Sequence, residues 1–516
     1  MKRPLLLLAA LGIVGAAHAD FTLTVLHTND LHAHIEPSKV GKALYGGYAK
    51  QATLIKKFRS QDPNTILLSG GDTFQGTLYF TQYTGLADLA LMNYMGYEGM
   101  AVGNHEFDLG PGPLGDFAQH ATFPVLSCNL DVSGEPALRN VVKPYATVKV
   151  GGQMIGLIGA TTPDLPTISS PGPNVKLLNL YDSINKSVAE LRGQGVNKIV
   201  LLSHLGYDLE KDVAAKTPGL DIIVGGHSHT YLGADTGIQG FPKPPGAYPT
   251  VVSNSESKVL IVSSWEWGKV FGRLKVTFDD DGKVKSWADS APILVDDSIP
   301  DDPTAASMIA AFQKPIQGMM KTVVATTPVA LTDDGSDNGN SLLGDIITDA
   351  MLQYGSKNGA QVALMNNGGI RANIDSGPIT FDEIIQTSPF GNTLVVLELK
   401  GSELLSTFEQ GIGKDGRRLS LHVSKETKIR FDLSKPTGQR VVEALVNGER
   451  IDPAKSYRVI VNSFMATGGD SLFALRDAKG YRLDTGTLDR DVLVTYLKAY
   501  KGEDLTKEKR IEIVGR

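Results

Sequence analysis

The stretch "AVGNHEFDLG", residues 101–110, decides the reading of this chain. The apolar run "EGMAVG" (98–103) stops at a glycine, and Asn104, His105, Glu106 and Asp108 follow at once. Burying that much polarity at the end of a strand costs free energy unless the side chains hold something. The same grammar recurs four times. "FTLTVLH" (21–27) leads into "TNDLHAH" with Asp30 and His32, and "TILLSGGD" (65–72) ends on Asp72. "NKIVLLSHLG" (197–206) carries His204, and "LDIIVGGHSH" (220–229) ends on His227 and His229. The runs are nearly continuous in Val, Ile and Leu, as strands covered on both faces are. Helical spacing lies between them in "GYAKQATLIKKFRSQ", "GLADLALMNYMG" and "DSINKSVAELRGQG". Alternation of this kind predicts an α/β layered domain, with the polar clusters at the C-terminal ends of the strands, where such sheets bind ligands.

Seven of the ten histidines fall inside these five clusters, counting His27 and His34. Asp, Asn and His offer oxygen and imidazole ligands to Zn, Mn or a similar divalent ion. Neighbouring glycines let the backbone turn tightly enough to bring them inward. Core packing does not account for five such clusters in series, so the expectation is a dinuclear metal site.

The chain has 516 residues, 41% of them hydrophobic, which is too long for a single core and allows two to four domains of roughly 100–200 residues. Its formal charge is −6 and it carries no basic stripe, which argues against polymeric nucleic acid as a partner. "MKRPLLLLAALGIVGAAHA" (1–19) reads as an export signal, with a basic start, an apolar middle and Ala17-His18-Ala19 as cleavage site. Its apolar run is shorter than the roughly 20 residues that span a bilayer. The expected product is exported, periplasmic or secreted, and without a membrane anchor after cleavage. Cys128, the only cysteine, sits in "FPVLSCNL" and reads as a buried small hydrophobe.

The texture changes near 280–303, where "DDDGKVKSWADSAPILVDDSIPDDP" is rich in Asp, Pro and turns. "PTAASMIAAFQKPIQGMM" (303–320) then has helical character, and Pro315 should kink or divide it. The expected division is a catalytic domain over 20–298, a linker helix over 299–320 and a second α/β domain over 321–516. In the latter, "TVVATTPVAL", "QVALMNN" and "TLVVLELK" read as strands and "GSELLSTFEQG" as a helix.

The order Asp-x-His, Gly-Asp, Gly-Asn-His-Glu, His and Gly-His-x-His resembles the calcineurin-like metallophosphoesterases. "LHTNDLHAH", "GGDTFQG", "GNHEFD" and "GGHSH" are closer still to the 5′-nucleotidase family, which includes UDP-sugar hydrolases and 2′,3′-cyclic phosphodiesterases. The resemblance runs from about Phe21 to the end of the chain. It implies a four-layer α/β/β/α catalytic domain followed by a smaller α/β substrate-binding domain. It also implies two divalent metal ions (Zn, Mn or Co), one held by Asp30, His32, Asp72 and His229, the other by Asp72, Asn104, His204 and His227. A bridging carboxylate such as Asp72 suits two cations about 3.5–4 Å apart that clamp a phosphate and lower the pKa of a water. His105 stays free, as the group that stabilises the transition state, with Asp108 as its orienter. Glu106 reads as a surface or helix-start carboxylate, and His27 and His34 as supporting or packing residues.

In the second half, "MNNGGIRANI", "SPFGNTL" and "NSFMATGGDSLF" resemble substrate-binding segments of the same family. By that resemblance Phe390 and Phe464 sandwich the base, Arg371 meets phosphate, Asp470 the ribose hydroxyls and Asn366 the base. Stacking suits any base, and an Arg fork suits a phosphate. One stretch departs from the family: "LTDDGSDNGN" (331–340) has three Asp and no Arg or Lys where nucleotidases usually carry Arg. That leaves room for nucleotide sugars, cyclic nucleotides or dinucleotides, with Arg417 or Arg418 as compensating cations. The function read is an exported nucleotide phosphoesterase of 5′-nucleotidase type serving nucleotide salvage. The alternatives are a thiosulfohydrolase-like enzyme on the same scaffold and a non-catalytic nucleotide-binding protein.

Overall fold

The computed structural model describes residues 20–40, 43–335, 339–412, 419–499 and 509–515. The expected export signal and the Arg417–Arg418 pair lie outside them.

The N-terminal half is built on two sheets packed face to face. One has eight strands, with Phe21–Thr28, Thr65–Ser69, Gly99–Ala101 and Val125–Leu126 parallel at its centre and Val270–Phe278 antiparallel beside the first. The other has six, with Gln153–Thr161, Ile199–His204, Ile222–Val224 and Lys258–Val262 running parallel. Leu23, Val25, Ile66 and Leu68 of the first sheet meet Leu157, Val200, Leu202 and Val224 of the second in a closed apolar layer. On the outer faces, Tyr48–Gln61 and Leu86–Met95 cover the first sheet, and Leu180–Gly193 and Tyr207–Lys216 the second. With helices on both sides, the central strands Thr65–Ser69, Gly99–Ala101, Ile199–His204 and Ile222–Val224 are buried on both faces. This explains the unbroken Val/Ile/Leu runs and establishes the α/β/β/α layering.

The run 303–320 forms two helices, Pro303–Gln313 and Gln317–Met320, on either side of Pro315. Proline lacks the N–H that a continuous helix would need there. The C-terminal half follows, with a five-stranded sheet in the order Leu421–Val423, Val362–Asn366, Ser456–Asn462, Thr393–Lys400, Arg482–Leu488. Leu342–Gly355 and Asp489–Ala499 pack on one of its faces. Gly401–Gln410 and a four-stranded sheet containing Thr427–Asp432 and Ile511–Val514 pack on the other. No described helix is long and apolar enough to cross a membrane.

Both N-terminal sheets deliver the C-terminal ends of their parallel strands to one edge. There Thr28, Ser69, Ala101, His204 and Val224 end their strands just before, or at, the polar clusters.

Candidate active site

At that edge the backbone turns sharply. Asp30, His32, Asp72, His227 and His229 all have positive φ, between 46° and 76°. Left-handed backbone costs of order 1–3 kcal/mol for a non-glycine residue and persists only where its surroundings over-determine it. Here the loops are cross-tied: Asp30 N–H donates to the Gly71 carbonyl, His32 N–H to the Asp72 carbonyl, and His227 N–H to the Asp30 carboxylate. Gly103 is required by close approach, because a Cβ there would meet Asp72 Oδ1 at 2.1 Å.

The ligand-type atoms of Asp30, His32 and His229 lie within 4.8 Å of one another, and so do those of Asp72, His204 and His227. Their protonation follows from the partners. His32 Nδ1 donates to the Phe74 carbonyl (2.9 Å) and His229 Nδ1 to Glu266 (2.6 Å). Both rings therefore turn Nε2 inward, and the two nitrogens face each other at 3.1 Å. Two such nitrogens need a proton or a cation between them or beside them. On the other side His204 Nδ1 donates to the Gly70 carbonyl, leaving Nε2 2.9 Å from Asp72 Oδ2 and 3.2 Å from Asn104 Oδ1. Asn104 Oδ1 also lies 2.9 Å from His227 Nδ1. Burial disfavours charge on His204, yet Asp72 outweighs it and lifts the pKa to about 10, a measure of how strongly this position calls for a cation. Burial likewise works against ionisation of Asp72, but His204, His105 and His32 hold its carboxyl well below the usual range. Converging oxygen acceptors, imidazoles of His32, His204 and His229 turned inward by the partners of their far nitrogens, and an ionised carboxylate between two clusters fit a pair of divalent cations.

His105 lies between these two clusters, its ring nitrogen within 4.8 Å of the ligand-type atoms of His32 and Asp72. Its Nδ1 donates to Asp108 Oδ2 (2.6 Å), while its Nε2 lies 3.9 Å from Asp72 Oδ2 and 3.2 Å from Arg371 Nη2. Burial opposes a charge on this ring, but Asp108 and Asp72 prevail and raise its pKa. Ser169 Oγ donates to the other Asp108 oxygen at 2.8 Å, so both oxygens of the orienting carboxylate are occupied.

The C-terminal half supplies the opposite wall. Phe390 stacks on His105 with centroids 5.4 Å apart and planes 17° apart, and Arg371 reaches over the Phe390 ring. Asn366 donates to Asp470 Oδ2 (2.7 Å) and is itself held by Asn462 (3.0 Å). A Cβ on Gly469 would meet the Phe464 ring at 2.4 Å, so that glycine makes room for the aromatic. Phe390, Phe464, Asn366, Arg371 and Asp470 line one cleft of about 900 Å³ together with Asp72, Asn104, His105, His227 and His229. In the acidic stretch, Asp333 engages its own surroundings: its N–H donates to Asn373 Oδ1, and its Oδ1 accepts from Ser341.

Glu106 corrects the sequence reading. It is fully buried, and its carboxylate accepts N–H bonds from Asp72, Thr73, Phe74 and Gly103 at 2.7–3.1 Å. It ties the Asp72 loop to the Asn104 loop. Burial pushes its pKa up to about 7, with Asp72 adding to the rise. Glu210 does the same under the Gly225–His229 loop, accepting from Ser203 Oγ and Gly226 N–H. Each buried donor left unpaired costs about 1–3 kcal/mol. Glu106→Ala is therefore expected to destabilise the N-terminal half by about 3 kcal/mol or more, seen as a lowered first thermal transition; an unchanged melting curve would contradict the brace. His27 and His34 are packing and support, as expected: His27 bonds Tyr248 Oη, and His34 Nδ1 donates to the His32 carbonyl. Sequence reasoning also missed Glu266. It follows the apolar run "KVLIV" (258–262) just as the other clusters follow theirs, so the same rule could have found it.

Comparison with known proteins places the chain in a family. Residues 23–231 match the family model for calcineurin-like phosphoesterases, and residues 323–477 the model for the 5′-nucleotidase C-terminal domain. A 5′-nucleotidase of Homo sapiens is 34% identical over 540 residues, covering 97% of this chain and 92% of that one. The structure of a 5′-nucleotidase precursor from Thermus thermophilus superposes with a TM-score of 0.91 at 44% identity, covering 96% of this chain and all of the other (100%). A Thermus thermophilus sulfate thiohydrolase shares the fold, with a TM-score of 0.76 at 18% identity over 96% of this chain and 97% of that one.

Proposed function

This chain belongs to the 5′-nucleotidase family, as a metal-dependent phosphoester hydrolase acting on nucleotides, and from that premise we propose that it releases nucleoside and phosphate from nucleoside 5′-monophosphates. Residues 20–298 form the catalytic unit and 321–516 the unit that holds base and ribose, joined through 299–320. Asp30, His32, Asp72 and His229 would hold one divalent ion, and Asp72, Asn104, His204 and His227 the other, with Zn, Mn and Co all compatible with the mixed N/O donors. When bound, the ion pair polarises the phosphoryl group and acidifies the attacking water.

The chain's own side chains do the rest. Arg371 binds the phosphate from the C-terminal side. His105 gives its Nδ1–H to Asp108, and the same carboxylate together with Asp72 favours a second proton on Nε2; that Nε2–H is donated to the phosphoryl oxygen or the departing 5′-oxygen. Phe390 and Phe464 stack the base, Asn366 meets its edge, and Asp470 accepts from the ribose hydroxyls. The observation that carries this reading is the 3.2 Å approach of Arg371 to His105, which puts a phosphate-type cation from one half beside the imidazole of the other, over Asp72. The Phe390–Phe464 pair favours a nucleotide over the thiosulfohydrolase alternative. The cleft's volume also admits nucleotide sugars or 2′,3′-cyclic nucleotides. Export, read from residues 1–19, and a role in nucleotide salvage, read from the release of nucleoside, are part of this proposal.

The test is phosphate release from AMP, UDP-glucose, 2′,3′-cyclic AMP and bis(p-nitrophenyl) phosphate after chelation and re-addition of Mn, Zn or Co. AMP is expected to be the best substrate, and no release from any of the four would refute an enzymatic function. Phe464→Ala should raise KM for AMP by about 5- to 150-fold, the equivalent of roughly 1–3 kcal/mol of stacking, and leave turnover of bis(p-nitrophenyl) phosphate unchanged. An unchanged KM for AMP would remove Phe464 from the base site.

A further inference from the structure

The segment "SWEWGK" (264–269) lies directly behind one half of the proposed metal pair, and no role in the reaction accounts for it. Glu266 accepts from His229 Nδ1 with one oxygen (2.6 Å) and from Lys269 Nζ with the other (2.8 Å). The Lys269 side chain is only 4% exposed, and its ammonium lies 4.3 Å from the Trp265 ring and 3.8 Å from the Trp267 ring. A buried ion pair gives little net stability, because desolvating both charges offsets their attraction. Two tryptophans with φ of 63° and 55° add backbone strain. An arrangement that costs this much and contributes so little to folding needs another reason.

Its contacts supply one, because they converge on the Asp30–His32–His229 cluster. Trp267 N–H donates to the Asp30 carbonyl. The Trp265 carbonyl accepts from Asn29 Nδ2, which also donates to Asp30 Oδ2. Trp267 stacks on His34 at 4.0 Å with planes 5° apart, and His34 Nδ1 donates to the His32 carbonyl.

We propose that Glu266, locked by Lys269 between Trp265 and Trp267, is the positioning residue that holds His229 as its Nδ1–H tautomer with Nε2 turned toward Asp30 and His32, and so sets the affinity of the first metal position. A carboxylate on the far nitrogen fixes the ring's orientation and raises the basicity of the ligating one. Lys269 acts one step further out. It holds Glu266 in one rotamer, and the indole faces fix the ammonium in place. This rests on the two-metal reading above.

The test is metal content after dialysis against chelator, followed by titration with Mn or Zn, on the full chain. The unaltered protein should load two ions. Glu266→Ala is expected to load one ion with unchanged affinity and the other about 10–100-fold more weakly. Glu266→Gln, which keeps an acceptor for His229, should recover part of that loss, and Lys269→Met should weaken the same single ion. If Glu266→Ala fails to fold, the Gln and Met variants still decide the matter. Two ions bound with unaltered affinity in these variants would overturn the role of Glu266. Fewer than two ions in the unaltered protein would overturn the two-metal reading, and this assignment with it. Exposed Glu256, paired with Arg192, serves as control, and Glu256→Gln should change neither ion.

Discussion

His105→Ala is expected to lower turnover of AMP by about 10²- to 10⁴-fold while both metal ions stay bound, the range over which a positioned acid or base contributes to a reaction. The separation of the two effects follows from where His105 makes its contacts. Its backbone N–H donates to Asp72 Oδ1 at 2.9 Å, and that bond survives the substitution. Its ring contributes through Nε2, which points past Asp72 to Arg371. Removing the ring therefore leaves the Asp72 carboxylate in place and deletes the group proposed to meet the phosphoryl oxygens, together with its contacts to Asp108, Arg371 and Phe390. Asp108→Asn should produce a smaller fall, because Ser169 still fixes the side chain and an amide oxygen can still accept from Nδ1. Metal content by elemental analysis and kcat on AMP check the claim together. Wild-type turnover in His105→Ala would remove His105 from the chemistry, and loss of metal would make it a ligand instead.

Asp72→Asn is expected to abolish loading of both ions and to lower activity by about 10³-fold or more, even with excess Mn, Zn or Co. An ion pair of this kind contributes several kcal/mol of charge stabilisation in the transition state, and each 1.36 kcal/mol is about tenfold in rate. One oxygen, Oδ2, lies 2.9 Å from His204 Nε2 and 3.9 Å from both His32 and His105 Nε2, so a single atom serves both clusters. The isosteric amide keeps the shape but removes the negative charge between two cations. The loop itself should hold, since Glu106 grips the N–H groups of residues 72–74. The measurement is metal stoichiometry beside phosphate release. An Asp72→Asn protein that keeps two ions and half its activity would refute the bridging role.

Much of the candidate site is legible in the sequence because its ingredients are local. Asp30, Asp72, Asn104, His204 and His227 each follow an apolar run within a few residues, and strand ends in parallel sheets share an edge. Proline chemistry makes the break at Pro315 readable too. Glu106 is misread from sequence because nothing in "GNHEFD" says that four N–H groups from two loops will converge on its carboxylate. Glu266 escapes notice because its partner, His229, lies 37 positions away and gives no local sign of needing one.

Residue identity and order were thus enough for the class of fold and, through resemblance, for the family, and they nominated the side chains proposed to bind a cation or a base. Folding alone decided which lone pairs face which. It set the tautomers of His32, His204 and His229 through the Phe74 and Gly70 carbonyls and the Glu266 carboxylate. It also brought Arg371 and Phe390 of the second half against His105 of the first. The reason is physical. A side chain's chemical type travels with the chain, but its charge, protonation and reach depend on neighbours that become neighbours only when two sheets and two halves have packed.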